Sequence, residues 1–177
     1  MTGRGSQLAP TSSAAHVLAP RDGIVELLAF RLGTDSYALP LACVREIVRI
    51  PPVTPVPRAA AHVLGVVSVR GRITTLVDLR RRVRVEASPP GRTARVLVVE
   101  TGAELVGLLV DEVRQVHRLH ESEIELVTSL GGVTPDHVLG IGRPGTARPA
   151  RGERRSGQDD ARSDELLVLL DPAVLAR

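Results

Sequence analysis

The sequence contains no tryptophan, no lysine and no asparagine, and it has one phenylalanine, one tyrosine and one cysteine. Each absence removes a class of explanation. With Phe30 and Tyr37 as the only aromatics, the interior has to be built from Val, Leu, Ile and Ala. Single-stranded nucleic acid is held by stacking bases on aromatic platforms, which this chain cannot assemble, so nucleic-acid binding is disfavoured. A lone Cys43 excludes an intrachain disulfide and a cysteine metal cluster, and it fits a reducing compartment. Between Leu41 and Val44 it reads as a small buried hydrophobe. All 23 basic residues are arginine, scattered through every segment, which points to the codon bias of a GC-rich genome. The net charge of +3 is modest, and in the Arg-rich stretch 143–162 nearby acidic residues dilute the charge. No run approaches the roughly 20 apolar residues of a membrane span, and the N-terminus lacks the apolar core of a signal peptide. A cytoplasmic protein is expected.

Apolar residues make up 43% of the 177 positions, enough for one ordinary domain or two small barrels sharing a core. Residues 1–22 have the composition of a disordered tail, and the domain is expected over 23–177. From Ile24 onward, short β-branched runs alternate with breakers, as strands do. IVELLAFRL (24–32) and SYALPL (36–41) flank Gly33-Thr34-Asp35 as a hairpin, and VREIVRI (44–50) follows. Four prolines in PPVTPVP (51–57) leave an extended connector. RAAAHVLGV (58–66) predicts one or two helical turns ended by Gly65. VVSVR and RITTLVDL surround Arg70-Gly71, and RVLVVE and LVGLLVDEV surround residues 101–104. VRQVHRL (113–119) alternates at a period of two. After the polar HESEIE, VLGIGR (138–143) and ELLVLLD (165–171) are further strands, and PAVLA (172–176) offers a helical turn opening on Pro172. Residues 143–164 have no apolar pattern and read as a disordered surface loop. The result is all-β, with no tandem repeat in evidence, although two hairpin-rich halves are conceivable.

Catalytic readings find little support. His62, Ser68 and Asp78 fall in one segment, but Ser68 sits in a strand without an activating turn. His117 and His120 are the only histidines close in sequence, too few for a metal site, and no phosphate-binding glycine loop is present. No cofactor and no metal are expected. Asp78, Asp111 and Asp171 each end an apolar run, in LVD, LVD and LLD, where Asp bonds nearby backbone amides.

The most distinctive segment is VPRAAAHVLGVVSVRGRITTLVDLRRR (56–82), in which a guanidinium stands beside glycine at a hairpin tip. Gly65-Val66, Arg70-Gly71 and Asp78-Leu79-Arg80, preceded by VREI (44–47) and TPVPRA (54–59), closely resemble the CheW family of chemotaxis coupling proteins. GLLVDEV (107–113), LGIGR (139–143) and LLVLLD (166–171) extend the resemblance over about residues 24–177. Ser68 stands where Asn is usual and Thr75 where Pro often stands, and the polar stretch 143–164 replaces a short turn.

The resemblance implies two five-stranded SH3-like barrels packed on a shared aliphatic core, with short helical turns. It implies a non-enzymatic adaptor joining the cytoplasmic tip of transmembrane chemoreceptors to the regulatory domain of a CheA-type histidine kinase. Val44, Glu46, Gly65 and Arg70 then correspond to the receptor-side coupling surface, with Glu46 and Arg70 as a possible internal salt bridge. Gly107, Asp111 and Val113 lie where kinase contact is expected. An adaptor of a non-chemotactic kinase pathway would share all these residues.

Overall fold

The computed structural model describes Leu18 and residues 22–102, 104–127, 135–146 and 165–175. Its strands are β1 (Ile24–Leu32), β2 (Asp35–Pro40), β3 (Val44–Val48), β4 (Val63–Val69), β5 (Arg72–Asp78), β6 (Arg95–Thr101), β7 (Glu104–Val110), β8 (Glu112–His120), β9 (Ile124–Leu126), β10 (Val138–Gly142) and β11 (Leu167–Leu170). One-turn helices follow β5 (Leu79–Arg82) and β11 (Pro172–Leu175), and a 3-10 turn over Leu41–Cys43 joins β2 to β3.

The strands form two sheets, one in the order β8-β1-β2-β11-β10-β9 and the other β3-β6-β7-β5-β4. Each has one parallel pair, β11 with β2 and β5 with β7, and is otherwise antiparallel. The two β units expected from the sequence are these two sheets. The first has a sixth strand because Ile124–Leu126, which begins within the polar stretch HESEIE, pairs with β10.

Three apolar clusters account for the patterning. Leu27, Ala29 and Ala38 point into the six-stranded unit with Leu119, Leu167 and Leu169. Val67, Leu76, Val96, Val98 and Leu109 fill the five-stranded unit. Between the units lies a shared core that includes Phe30, Leu39, Leu97, Val99, Leu108 and Leu170. Strand side chains alternate in direction, so β6 sends Val96 and Val98 into one interior and Leu97 and Val99 into the shared core. A strand buried on both faces reads as a continuous apolar run, as RVLVVE does.

The helix expected over 58–66 does not form. Two turns occupy the region, with Val63 N donating to Ala60 O at 2.9 Å, and β4 begins at Val63. Arg58 takes a left-handed φ of 60°, which halts any helix, and the β-branched run from Val63 gains more by pairing with β5 than the three alanines gain as a helix. The tail expected over 1–22 and the loop expected over 143–164 fall mostly outside the described residues. Within them, Leu18 is buried in the six-stranded unit, and Arg143–Thr146 make a turn anchored by Gly145 N donating to Glu123 Oε1 at 2.9 Å.

Candidate functional site

The hairpin joining β4 to β5 is as tight as a hairpin can be: Val69 pairs with Arg72, leaving Arg70 and Gly71 as a two-residue loop. Both have positive φ, 48° and 78°, the signature of a type I′ turn. Asn-Gly is the favoured pair for such a turn, so an arginine here is held in a strained backbone conformation. The conformation fixes where its guanidinium starts from. Arg70 Nε donates to Glu46 Oε2 at 2.8 Å, with the Arg70 side chain 80% exposed and Glu46 26% exposed.

Glu46 comes from β3, at the opposite edge of the same sheet. The β3–β6 register shifts between Val44 and Glu46, and such a bulge bends the strand and re-aims its side chains. The hydrogen bond from Arg70 holds the Glu46 carboxyl below its ordinary range, and the same bond raises Arg70. Val44 is half-buried against the shared core. Gly65 is interior. Its φ of 147° and its place against the proline connector leave no room for a side chain, since a Cβ would sit 2.2 Å from Thr54 O. Paired bonds of 2.9 Å between Thr54 and Val66 dock that connector onto β4.

The second expected group sits elsewhere. Gly107 is buried in the five-stranded unit, where a Cβ would lie 2.9 Å from Val96 Cγ1. Val113 is half-buried against the shared core. Asp111 joins the two units. Its Oδ2 accepts from Gly33 N in the β1–β2 turn at 2.8 Å, and its Oδ1 accepts from Arg80 Nη1 at 2.9 Å. The structure therefore brings Glu46 and Arg70 into contact and gives Gly65, Gly107 and Asp111 places inside the framework.

The sequence names Arg80 within the Asp78-Leu79-Arg80 motif but assigns it no role. It lies in RRRVRV, which reads as a solvated basic run, yet its side chain is 2% exposed. Nε and Nη2 grip Asp78 at 3.0 and 3.1 Å, and Nη1 also reaches Ser88 O at 2.6 Å. Asp78 accepts from Arg80 N as well, capping the short helix, and Asp171 does the same for Ala173 N. The usable signal was Asp78-Leu79-Arg80 after an apolar strand: such an Asp caps a turn and leaves its outer oxygens for a neighbouring guanidinium.

The reactive groups are quiet. Cys43 is half-buried, its Sγ donates to Pro40 O at 2.9 Å, and burial pushes the thiol up to about 12. Ser68 faces outward on β4, while Asp78 is committed to Arg80. No group of three metal-ligating side chains comes together among the described residues.

Residues 26–177 match the model of the CheW-like domain. The chain belongs to the CheW-like family. Among curated relatives, a chemotaxis protein CheW of Rhizobium meliloti is 35% identical over 115 residues, covering 65% of this chain and 72% of the relative. Protein FrzA of Myxococcus xanthus is 30% identical over 135 residues, covering 76% and 82%. The CheW-like fold is shared with the crystal structure of scaffolding protein TtCheW from Thermoanaerobacter tengcongensis, at a TM-score of 0.69 and 22% identity, over 85% of this chain and 91% of that one.

Proposed function

We propose that this CheW-like chain is a non-enzymatic cytoplasmic adaptor of bacterial chemotaxis, joining the cytoplasmic tip of chemoreceptors to the regulatory domain of a CheA-type histidine kinase. The observation that carries the reading is the Glu46–Arg70 pair at the tip of a tight hairpin. A guanidinium largely in solvent, anchored through one N–H, keeps donors to offer a protein partner in a set direction. Val44 beside it supplies an apolar edge, and Gly107, Asp111 and Val113 mark the side assigned to the kinase. Both contacts are made by one body with a continuous core, so a receptor rearrangement changes which kinase states the assembly favours. No helix among the described residues is long and apolar enough to cross a membrane, which suits recruitment to receptor arrays through protein contacts.

Reconstitution tests the reading. Receptor, kinase and this chain together should show receptor-controlled kinase autophosphorylation that is absent without the chain. Arg70→Glu should remove most of that control while its circular dichroism melt stays close to wild type. A chain that binds neither receptor nor kinase would overturn the proposal, and an Arg70→Glu variant that unfolds would make Arg70 structural. The similarity to Protein FrzA favours a second reading, an adaptor for a kinase of another pathway. The same assay with the kinase encoded beside this chain separates the two.

A further inference from the structure

The sequence shows no obvious repeat, but strand pairing reveals one. Residues 24–50 align without a gap on residues 93–119, with Leu28, Gly33, Leu39, Val44, Arg45 and Arg49 matching Leu97, Gly102, Leu108, Val113, Arg114 and Arg118. VREIVRI thus lies on VRQVHRL. Gly33 and Gly102 both take positive φ in the hairpin turns, 61° and 79°. Val44 pairs with Val99 ahead of a bulge, and Val113 pairs with Phe30 beside the equivalent bulge.

The remaining strands agree. HVLGV (62–66) matches HVLGI (137–141), and each carries a bulge before its glycine. A Cβ on Gly65 would sit 2.2 Å from Thr54 O, and one on Gly140 would sit 2.4 Å from Glu125 O. Asp78 N donates to His62 O at 2.7 Å, and Asp171 N donates to His137 O at 2.9 Å. Each of these aspartates then caps a one-turn helix. So many matched irregularities are not expected of two unrelated sheets, because each bulge and close approach is a separate departure from regular pairing.

The two units are also interlocked. The hairpin β1–β2 belongs to the first repeat but pairs with β8 and β11 of the second, while β6–β7 belongs to the second and pairs with β3 and β5 of the first. Each repeat gives its N-terminal hairpin to the other. The Val44–Glu46 edge is accordingly held by β6, a strand from the other repeat.

The strand pairing makes the chain a fused pair of one repeating unit with reciprocally exchanged hairpins, and we propose that β1–β2 makes the same exchange with a second copy of the chain. The interface needed is one the chain already makes with itself. A hairpin donated to another copy recovers every contact with β8, β11 and the shared core, and only the link at Leu41–Cys43 changes path. That link is three residues long and has no side-chain cap; Leu41 and Cys43 are half-buried against the shared core, and these contacts are the ones the exchange must remake. The monomer is favoured in dilute solution because its hairpin is tethered at an effective concentration of about millimolar or above; refolding at comparable concentration populates the exchanged dimer.

The test uses the cross-strand pair Glu26 and Arg118, whose side chains are exposed and whose ion pair is 2.9 Å. In a Cys43→Ala background, full-length chains carrying Glu26→Cys are unfolded and refolded together with chains carrying Arg118→Cys, then oxidised. The expected product is a disulfide-linked dimer at least several-fold more abundant after refolding at about millimolar than at about micromolar concentration. Its absence at both concentrations would overturn the exchange. Equal yield from a control pair, Glu26→Cys with Ser68→Cys on β4, would overturn it as well, by marking the dimer as unspecific.

Discussion

Arg70 and Arg80 stand at opposite ends of β5 and do opposite work. Arg80 is 2% exposed and uses its fork on two carboxylates and a carbonyl, while Arg70 is 80% exposed and uses one N–H on one carboxylate. A buried charge cannot be left unpaired, so all three guanidinium nitrogens of Arg80 donate into the framework; an exposed charge gains little from its pair and is left open to solvent. Burial, more than residue type or neighbouring motif, separates the arginine that holds the fold from the arginine left open to solvent, the one proposed to meet a partner.

The comparison is most easily broken at Arg80. Arg80→Met leaves the buried Asp78 with only the 3.5 Å contact to Arg81 and its backbone cap, and takes from Asp111 one of its two bonds; it should cost about 3–5 kcal/mol in denaturant unfolding. Arg80→Lys should recover little of it, because an ammonium cannot grip Asp78 with two parallel bonds. A loss below about 1 kcal/mol would remove the distinction.

Gly65 sharpens the comparison next. Its sequence context puts it with Arg70, but its geometry puts it with Arg80. Gly65→Ala should lower stability by roughly 1–3 kcal/mol through the clash with Thr54 O, and any loss of partner binding should follow from that. Full stability with lost coupling would return Gly65 to the partner surface.

A smaller effect is expected at His137, which is buried near the helix that carries Arg80. Burial lowers its pKa, Arg82 and Arg84 lower it further, and Asp136, 3.4 Å away, opposes them. A histidine depressed in the folded state binds its proton more readily when unfolded. Its contribution is present above the ordinary value near pH 6.5 and is lost as pH falls through the folded-state value. Denaturant midpoints of wild type and His137→Gln should differ in slope across that window, with the variant flatter.

The smallest stability effect belongs to Arg70→Asn. Asparagine tolerates the left-handed φ that arginine endures, so the melt should stay at or slightly above wild type while receptor-dependent kinase control falls. Retained control would show that Arg70 contributes only its turn.

Much of this fold was legible because a strand announces itself through local chemistry. The β1–β2, β4–β5 and β6–β7 hairpins follow from apolar runs broken by glycine, and the Glu46–Arg70 pair was reachable once the flanking motifs were recognised. What escaped depends on contacts distant in sequence. Three alanines before His62 favour a helix locally, and only pairing with β5 makes the following residues a strand. HESEIE looks solvated because β10, the strand that pairs with β9, lies well downstream in the chain. The burial of Arg80 was hidden by its arginine neighbours. The repeat was hidden because its matches are spaced out and the segments between them differ in length.

Consider again β6, with one core on each side. If the proposed adaptor role holds, a molecule folded only halfway would offer one partner its surface and leave the other unserved. Losing the six-stranded sheet exposes Leu97 and Val99 to water, and losing the other strands of β6's own sheet exposes Val96 and Val98. The two sheets therefore melt as a single cooperative unit. A damaged molecule should lose both proposed contacts together, with no half-folded form left to keep one of them.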